Sequence, residues 1–262
     1  MTITEAIEAA FAAETDEPPR AYIGASGIGH SCDAYLAFSL RGFPDTPVKP
    51  QLKRIFRDGH RIEDVVIEDL RKAGFRVEAV DPATGKQWAF SAYGGHVRAH
   101  ADGVIWIDGK RCLLEIKSMN DARHHEASRL GIKASHPLYF KQMQLMMGYG
   151  RFDMGFLVAY NKNNSRYYAE KVLADPFEFS ALKARAERVM AGDARKLSKD
   201  ETHYVCRGCF KADTCWHGQR PPELKRTCDN ARPDTDNGGW ICAEGCKDTC
   251  ENWVAYHPLP RV

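Results

Sequence analysis

Two apolar segments joined by Asp108-Gly109, in the stretch AHADGVIWIDGKRCLLEIKSMN over residues 99–120, leave this chain little freedom of register. Asp-Gly is the pair that a two-residue hairpin turn favours, because both central positions need positive φ. Residues then pair outward from the turn, Ile107 with Lys110 and so on, which sets Asp102 opposite Glu115. Side chains alternate along a strand, so Lys117 shares the face of Glu115 while Leu114 and Ile116 point the other way. Two acids and a lysine thus meet on a strand that is otherwise Cys-Leu-Leu and Ile. Like carboxylates repel and buried charges need partners. A divalent cation with a taste for oxygen, Mg²⁺ or Mn²⁺, is the partner that removes the repulsion. A three-residue loop would shift this alignment by one, and a Glu-x-Lys pair also occurs on ordinary solvent-facing strands.

The rest of the first 200 residues reads as mixed α and β. Ser26 is a candidate N-cap for a helix over about 27–40, and PQLKRIFRDGHRIEDVVIEDLRKAG predicts a long amphipathic helix over about 50–73 that Gly74 stops. Strand-like pieces follow near 75–80, 86–92, 95–107 and 111–118. A helix over about 137–150 precedes a hairpin and then a charged helix over about 176–196. This order predicts an α/β or α+β domain with a mixed central sheet flanked by helices. Glu63, on the long helix, offers a third carboxylate to the acid patch. Gln142 and Gln144 lie beside Tyr139 on a helix of Met and Leu, where amides either orient a water or phosphate or cap the core.

Cysteine placement divides the chain. Cys32 and Cys112 stand in the first 200 residues, and the other seven (Cys206, Cys209, Cys215, Cys228, Cys242, Cys246 and Cys250) in the last sixty or so. That tail has few aliphatic residues, so apolar burial alone does not hold it together. Secretion and membrane spanning are not expected: the N-terminus has acids in place of a basic n-region and no apolar h-region, and no run of about 18 apolar residues occurs. A reducing cytosol is the expected compartment, and there cysteines ligate metals more often than they form disulfides. The expected division is a core over 1–200 and a Cys-rich metal-binding tail over 201–262. Cys112, alone on a strand, reads as a packed apolar side chain.

A formal charge of +2 provides no global basic field, so contact with nucleic acid depends on local patches. Lys49, Lys53, Arg54, Arg57, His60 and Arg61 cluster at the start of the helix with Glu63. Arg123, His124, His125, Arg129 and Lys133 follow the strand with Glu115 and Lys117. Both runs suit a phosphate groove, although charge runs are commonly just solvated surface. His100 would share the face of Asp102 and touch metal or phosphate, or make a structural hydrogen bond.

Glu63, then Asp102, then Glu115-Ile116-Lys117, then the glutamine helix YFKQMQLMMGY, in that order, resemble the PD-(D/E)XK nuclease superfamily. The nearest group in this likeness is the RecB-type exonucleases, including the iron–sulfur nucleases of CRISPR adaptation and related phage exonucleases. The likeness covers roughly residues 20–217. It implies a restriction-endonuclease-like core in which Asp102, Glu115 and the Ile116 backbone carbonyl bind Mg²⁺ or Mn²⁺, with Glu63 joining, Lys117 catalytic and Gln142 orienting the nucleophile. It further implies that Cys32 joins the C-x2-C-x5-C run CRGCFKADTC, so that Cys32, Cys206, Cys209 and Cys215 hold a [4Fe–4S] cluster. Two departures stand out: the RecB-type position at Glu63 is usually histidine, and the tyrosine of the Gln-x3-Tyr motif falls at Met146.

Spacing leaves zinc open for the same four thiolates, with His217 as a substitute ligand. Cys228, Cys242, Cys246 and Cys250 form a second group, read as an irregular zinc knuckle. The expectation is a metal-dependent deoxyribonuclease acting on DNA ends or single strands, with Lys53, Arg54, Arg57, Arg61, Arg123, His124 and Tyr139 binding the nucleic acid. Recombination or replication proteins are the expected partners, and no membrane is involved. A nuclease-like fold that only binds nucleic acid, and a redox or structural metalloprotein, are the competing readings.

Overall fold

The computed structural model describes residues 1–246 and 251–260. In chain order the elements are α1 (Ile3–Ala13), β1 (Ile23–Gly24), α2 (Ala25–Ile28), α3 (Asp33–Leu40), α4 (Pro50–Lys72), β2 (Arg76–Glu78), β3 (Ala89–Ala92), β4 (Val97–His100), β5 (Gly103–Ile107) and β6 (Lys110–Met119). They continue as α5 (Asp121–Leu130), α6 (Ile132–Ser135), α7 (Pro137–Gly150), β7 (Met154–Asn161), β8 (Tyr167–Leu173), α8 (Pro176–Met190), α9 (Ala212–Trp216), β9 (Ala231–Pro233) and β10 (Trp240–Cys242). Two compact units result. One comprises Lys53–Phe90 and Ala99–Leu182, and the other Met1–Leu52, Ser91–Arg98 and Lys183–Val262. The cysteine-rich C-terminal segment thus clusters with the N-terminal one.

The first of these units is a mixed sheet flanked by helices. Its five strands run in the order β2-β5-β6-β7-β8, all neighbours antiparallel except the central β6 and β7, which are parallel. A parallel pair needs a crossover, and α5, α6 and α7 supply it. The β5–β6 register is the one the two-residue turn predicts: Ile107 pairs with Lys110 and Gly103 with Leu114. Asp108 and Gly109 both have positive φ, 50° and 73°. Leu114 and Ile116 pack with Val66 and Ile67 of α4, Ile105, Cys112 and Val158 into a buried apolar layer. Cys112 is thus a core side chain. On its other side, the sheet receives α7, which packs on β6 and β7.

The second unit gathers three chain segments. Ile23 and Gly24 of β1 pair in parallel with Val97 and Arg98, and β9 and β10 form an antiparallel pair. The helix expected over 27–40 is broken: α2 ends at Ile28 and Cys32 is the N-cap position of α3. Arg185 explains the break, since its guanidinium donates to the carbonyls of Ile28 (2.7 Å) and His30 (2.5 Å) and to Asp33 (2.7 Å). Arg41, 3% exposed, anchors the tail: it donates to the carbonyls of Arg226 (3.0 Å), Cys228 (2.7 Å) and Ala231 (2.9 Å) and lies over the rings of Tyr256 and Trp240. Burial pulls its pKa down to about 10. Lys211, equally buried, donates to the Phe43 carbonyl at 2.6 Å and pairs with Asp45 at 2.8 Å.

No helix among the described residues is long and apolar enough to cross a membrane.

Candidate active site

β6 carries the centre of the site. Glu115 is buried at 1% exposure, a position where a carboxylate is costly unless its oxygens are satisfied. Its Oε1 accepts from the Gln142 amide at 2.7 Å and pairs with the Lys117 ammonium. Its Oε2 is also buried and has no hydrogen-bond partner among the described residues. Asp102, just before β5, accepts the Ile116 N–H at 2.7 Å. The alternation of β6 accounts for this layout: Glu115 and Lys117 share one face, and the intervening Ile116 buries its side chain in the layer under α4 while its N–H reaches Asp102.

Electrostatics tie the four charged groups together. Burial drives the Glu115 carboxyl up to about 8, with Asp102 adding to the rise and Lys117 opposing it. Asp102 is raised by burial, against Lys117, the Ile116 N–H and His60. Glu63, half-buried on α4, is raised by burial and then by Asp102, with His60 and Lys117 opposing. Burial works against the Lys117 ammonium, but Glu115 and Asp102 outweigh it and its pKa moves upward. Three carboxyls, of which Asp102 raises both Glu63 and Glu115, form an oxygen donor set suited to a hard divalent cation, and the unpartnered Oε2 of Glu115 has lone pairs to offer it. Among the described residues, however, no three His, Cys, Asp or Glu side chains converge tightly enough to surround one ion.

The two glutamines part company. Gln142 faces Glu115, whereas Gln144 donates to the Leu173 carbonyl (2.9 Å) and accepts from the Asp175 N–H (2.7 Å), so its amide closes the end of β8. Met146 is fully buried in α7. Of the basic residues, Arg57 pairs with its neighbour Asp58 at 2.9 Å, and Arg61 and Arg123 are exposed. Lys53 and Arg54 are half-buried on α4. His124 is 8% exposed and packs edge-on against Tyr168. Its position on α5, one residue inside the exposed Arg123, turns it to the sheet, and a basic run without a visible helical period concealed this. His60 had been legible only as a member of a charge run. Its place one turn before Glu63, felt by both Glu63 and Asp102, brings it to the acids.

In the other unit, Cys32, Cys206, Cys209 and Cys215 line one pocket with His30, Lys196, Lys211 and Trp216. Burial raises the Cys206, Cys209 and Cys215 thiols, Cys209 to about 11, and each is raised further by the cysteines around it. The Lys211 N–H donates to Cys209 Sγ at 3.4 Å. His217 is not on this pocket's wall; its ring nitrogens bond Asp213 (2.8 Å) and Glu201 (2.7 Å). Of the second cysteine group, Cys228 is buried, Cys242 ends β10, and the Cys242 thiol is lowered by the backbone N–H of Cys246 and then of Glu244. Cys250 lies outside the described residues.

No family model matches the chain, and no curated protein matches it in sequence. Among solved structures it is similar to an alkaline exonuclease from Laribacter hongkongensis, with 18% identity over 71% of this chain and 91% of that one and a TM-score of 0.50. The same exonuclease in complex with dAMP gives 19% identity, the same coverage and a TM-score of 0.49. A phage-related exonuclease from Haemophilus somnus 129PT gives 12% identity over 64% of this chain and 91% of that one, with a TM-score of 0.48. At these identities the likeness to the Laribacter structure is one of fold.

Proposed function

We propose that this chain is a metal-dependent deoxyribonuclease of the PD-(D/E)XK type that hydrolyses phosphodiester bonds at DNA ends or in single strands. The observation that carries the reading is the buried Glu115 carboxylate, held at Oε1 by Lys117 and Gln142 and unpartnered at Oε2, beside Asp102. A fold similar to that of an alkaline exonuclease supports it. Glu115, Asp102, the Ile116 carbonyl and Glu63 would hold Mg²⁺ or Mn²⁺, and the bound ion supplies Lewis acidity toward a phosphoryl oxygen and acidifies an attacking water. Lys117 brings a fixed positive charge to the negative charge that develops on the phosphoryl group. Gln142 keeps Glu115 from rotating, so that its free oxygen stays turned to the ion-binding side.

End-labelled oligonucleotides blocked at either terminus and incubated with Mn²⁺ test this reading and show from which end cutting proceeds. Lys117→Ala is expected to lower the cleavage rate by about a hundredfold or more while the protein still melts cooperatively. Full activity in that variant removes the assignment. A protein that binds the oligonucleotide and leaves it intact at every Mn²⁺ concentration is a binding module.

The second part of the proposal concerns the thiols. Cys32, Cys206, Cys209 and Cys215 would hold a [4Fe–4S] cluster, with zinc as the alternative, and Cys228, Cys242, Cys246 and Cys250 a structural zinc. Four cysteines around one pocket, with Cys32 raising the other three, support a cationic group there. Protein purified without oxygen is expected to be brown and to contain iron; a colourless preparation holding zinc alone rejects the cluster. DNA would be the substrate, recombination or replication proteins the partners, and the cytoplasm of a bacterial or phage-infected cell the place of action.

A further inference from the structure

Lys117 has a second set of neighbours. Its ammonium lies 5.1 Å from the centroid of the Tyr139 ring, and the Arg123 guanidinium lies over the same ring at 5.8 Å. Tyr139 in turn is parallel to His136, with the planes 1° apart and the centroids at 5.4 Å. His136 is buried and occupies the N-cap position of α7 without capping it through its side chain.

Hydrogen bonding fixes where the proton of this histidine sits. The Ser135 hydroxyl donates to the Gly131 carbonyl at 2.6 Å, so its oxygen is left to accept from His136 Nδ1 at 2.8 Å. The neutral ring then carries its proton on Nδ1, and Nε2 accepts the Arg123 Nε–H at 3.2 Å. Burial, and then the Arg123 charge, hold the His136 pKa below its ordinary value, with Glu126 opposing, which favours the same neutral form. Arg123 is therefore aimed by a partner without charge. A carboxylate in place of His136 would neutralise the guanidinium and compete with any anion, whereas the imidazole occupies only Nε and leaves both η nitrogens, the fork that matches phosphate oxygens. Arg123 is exposed in the first turn of α5, directly after the strand with Lys117.

We propose that Arg123, aimed by the positioning residues His136 and Tyr139, forms a second phosphate subsite beside Lys117, which takes a phosphate of the bound nucleic-acid strand. The inference rests on the nuclease reading and names a part of its substrate contact. The chemistry is a phosphate group, from either the backbone diester or a terminal monoester.

Three fluorescent single-stranded oligonucleotides, with a 5′-phosphate, with a 3′-phosphate or with hydroxyls at both ends, test it. Binding is read by anisotropy in EDTA and cleavage by steady-state kinetics with Mn²⁺. Arg123→Ala is expected to raise Kd and KM by roughly tenfold and leave kcat unchanged, the effect of losing a charge-assisted hydrogen bond. Arg123→Lys keeps the charge without the fork and should fall between. His136→Leu should reproduce Arg123→Ala, while His136→Gln, which keeps an uncharged acceptor near Nε2, should restore wild-type binding; that rescue separates aiming from a merely structural role. A loss confined to one phosphorylated end identifies a terminal monoester, and an equal loss on all three identifies the backbone. A wild type that cuts while Arg123→Ala matches it in Kd and KM overturns the subsite alone. A wild type that neither binds nor cuts overturns the nuclease reading with it.

Discussion

Glu115 shows what a single buried carboxyl does to pH dependence. Its pKa rises from an ordinary value of 4.5 to about 8 in the folded chain. The folded state thus holds a proton that the unfolded state releases, so the stability this group contributes is complete below about pH 4.5 and is lost as pH rises through about 8. Metal-free protein is expected to show a melting temperature that falls across that window, and Glu115→Gln should flatten the slope; calorimetry in EDTA between pH 5 and 9 measures both. Binding of a divalent ion needs the ionised carboxylate, so Mn²⁺ affinity should climb by about tenfold per pH unit below 8, with a proton released on binding. Titration calorimetry in buffers of different ionisation enthalpy checks that release. The register of β5 on β6, from Ile107–Lys110 to Gly103–Leu114, was legible from one dipeptide turn, because strand periodicity carries it along. Neither the buried turn of His124 nor the hold of His136 on Arg123 was legible, since each depends on a partner from another element.

At the scale of elements, α7 emerges over 137–150 as the sequence predicts, and Gly148 shows how tightly it is seated. A Cβ there would lie 2.2 Å from the Phe179 ring of α8, so α7 approaches that ring as only a glycine permits. Gly148→Val is expected to cost about 1–3 kcal/mol by overpacking, and to slow cleavage by displacing the helix that carries Tyr139 and Gln142. Adding Phe179→Ala should recover part of both losses, as thermal melts and rates of the single and double variants will show. Sequence signals failed where local and distant preferences disagree. Ser26 promised one helix, yet Arg185 takes the carbonyls of Ile28 and His30 and stabilises a break there. In the opposite sense α1 was overlooked although its capping box, Thr2 with Glu5, is written in the sequence.

For the whole molecule, the informative feature is that one unit is assembled from segments far apart in the chain. Composition placed a boundary at 200 because aliphatic residues thin out there. Polar contacts join the packing of Tyr256 on Phe38 and Phe43 in holding the tail: Arg41 on three carbonyls, and Lys211 on Phe43 and Asp45. Arg41→Ala would strand those carbonyls and is expected to cost about 3 kcal/mol or more. Limited proteolysis should then cut within the C-terminal segment before the five-stranded sheet is touched; a digestion pattern equal to wild type would refute the anchoring role.

That arrangement also has a consequence in time. Arg41 and the Cys228 carbonyl it binds are 187 residues apart, so at a synthesis rate of about 5–20 residues per second the guanidinium leaves the ribosome roughly ten to forty seconds ahead of its acceptor. The five-stranded sheet ends at Leu173 and is translated within that interval. On the proposed metal-binding role, Cys32, which also emerges early, would have to stay reduced until Cys206, Cys209 and Cys215 follow, and the redox state of the cell during synthesis would then set how much chain matures correctly.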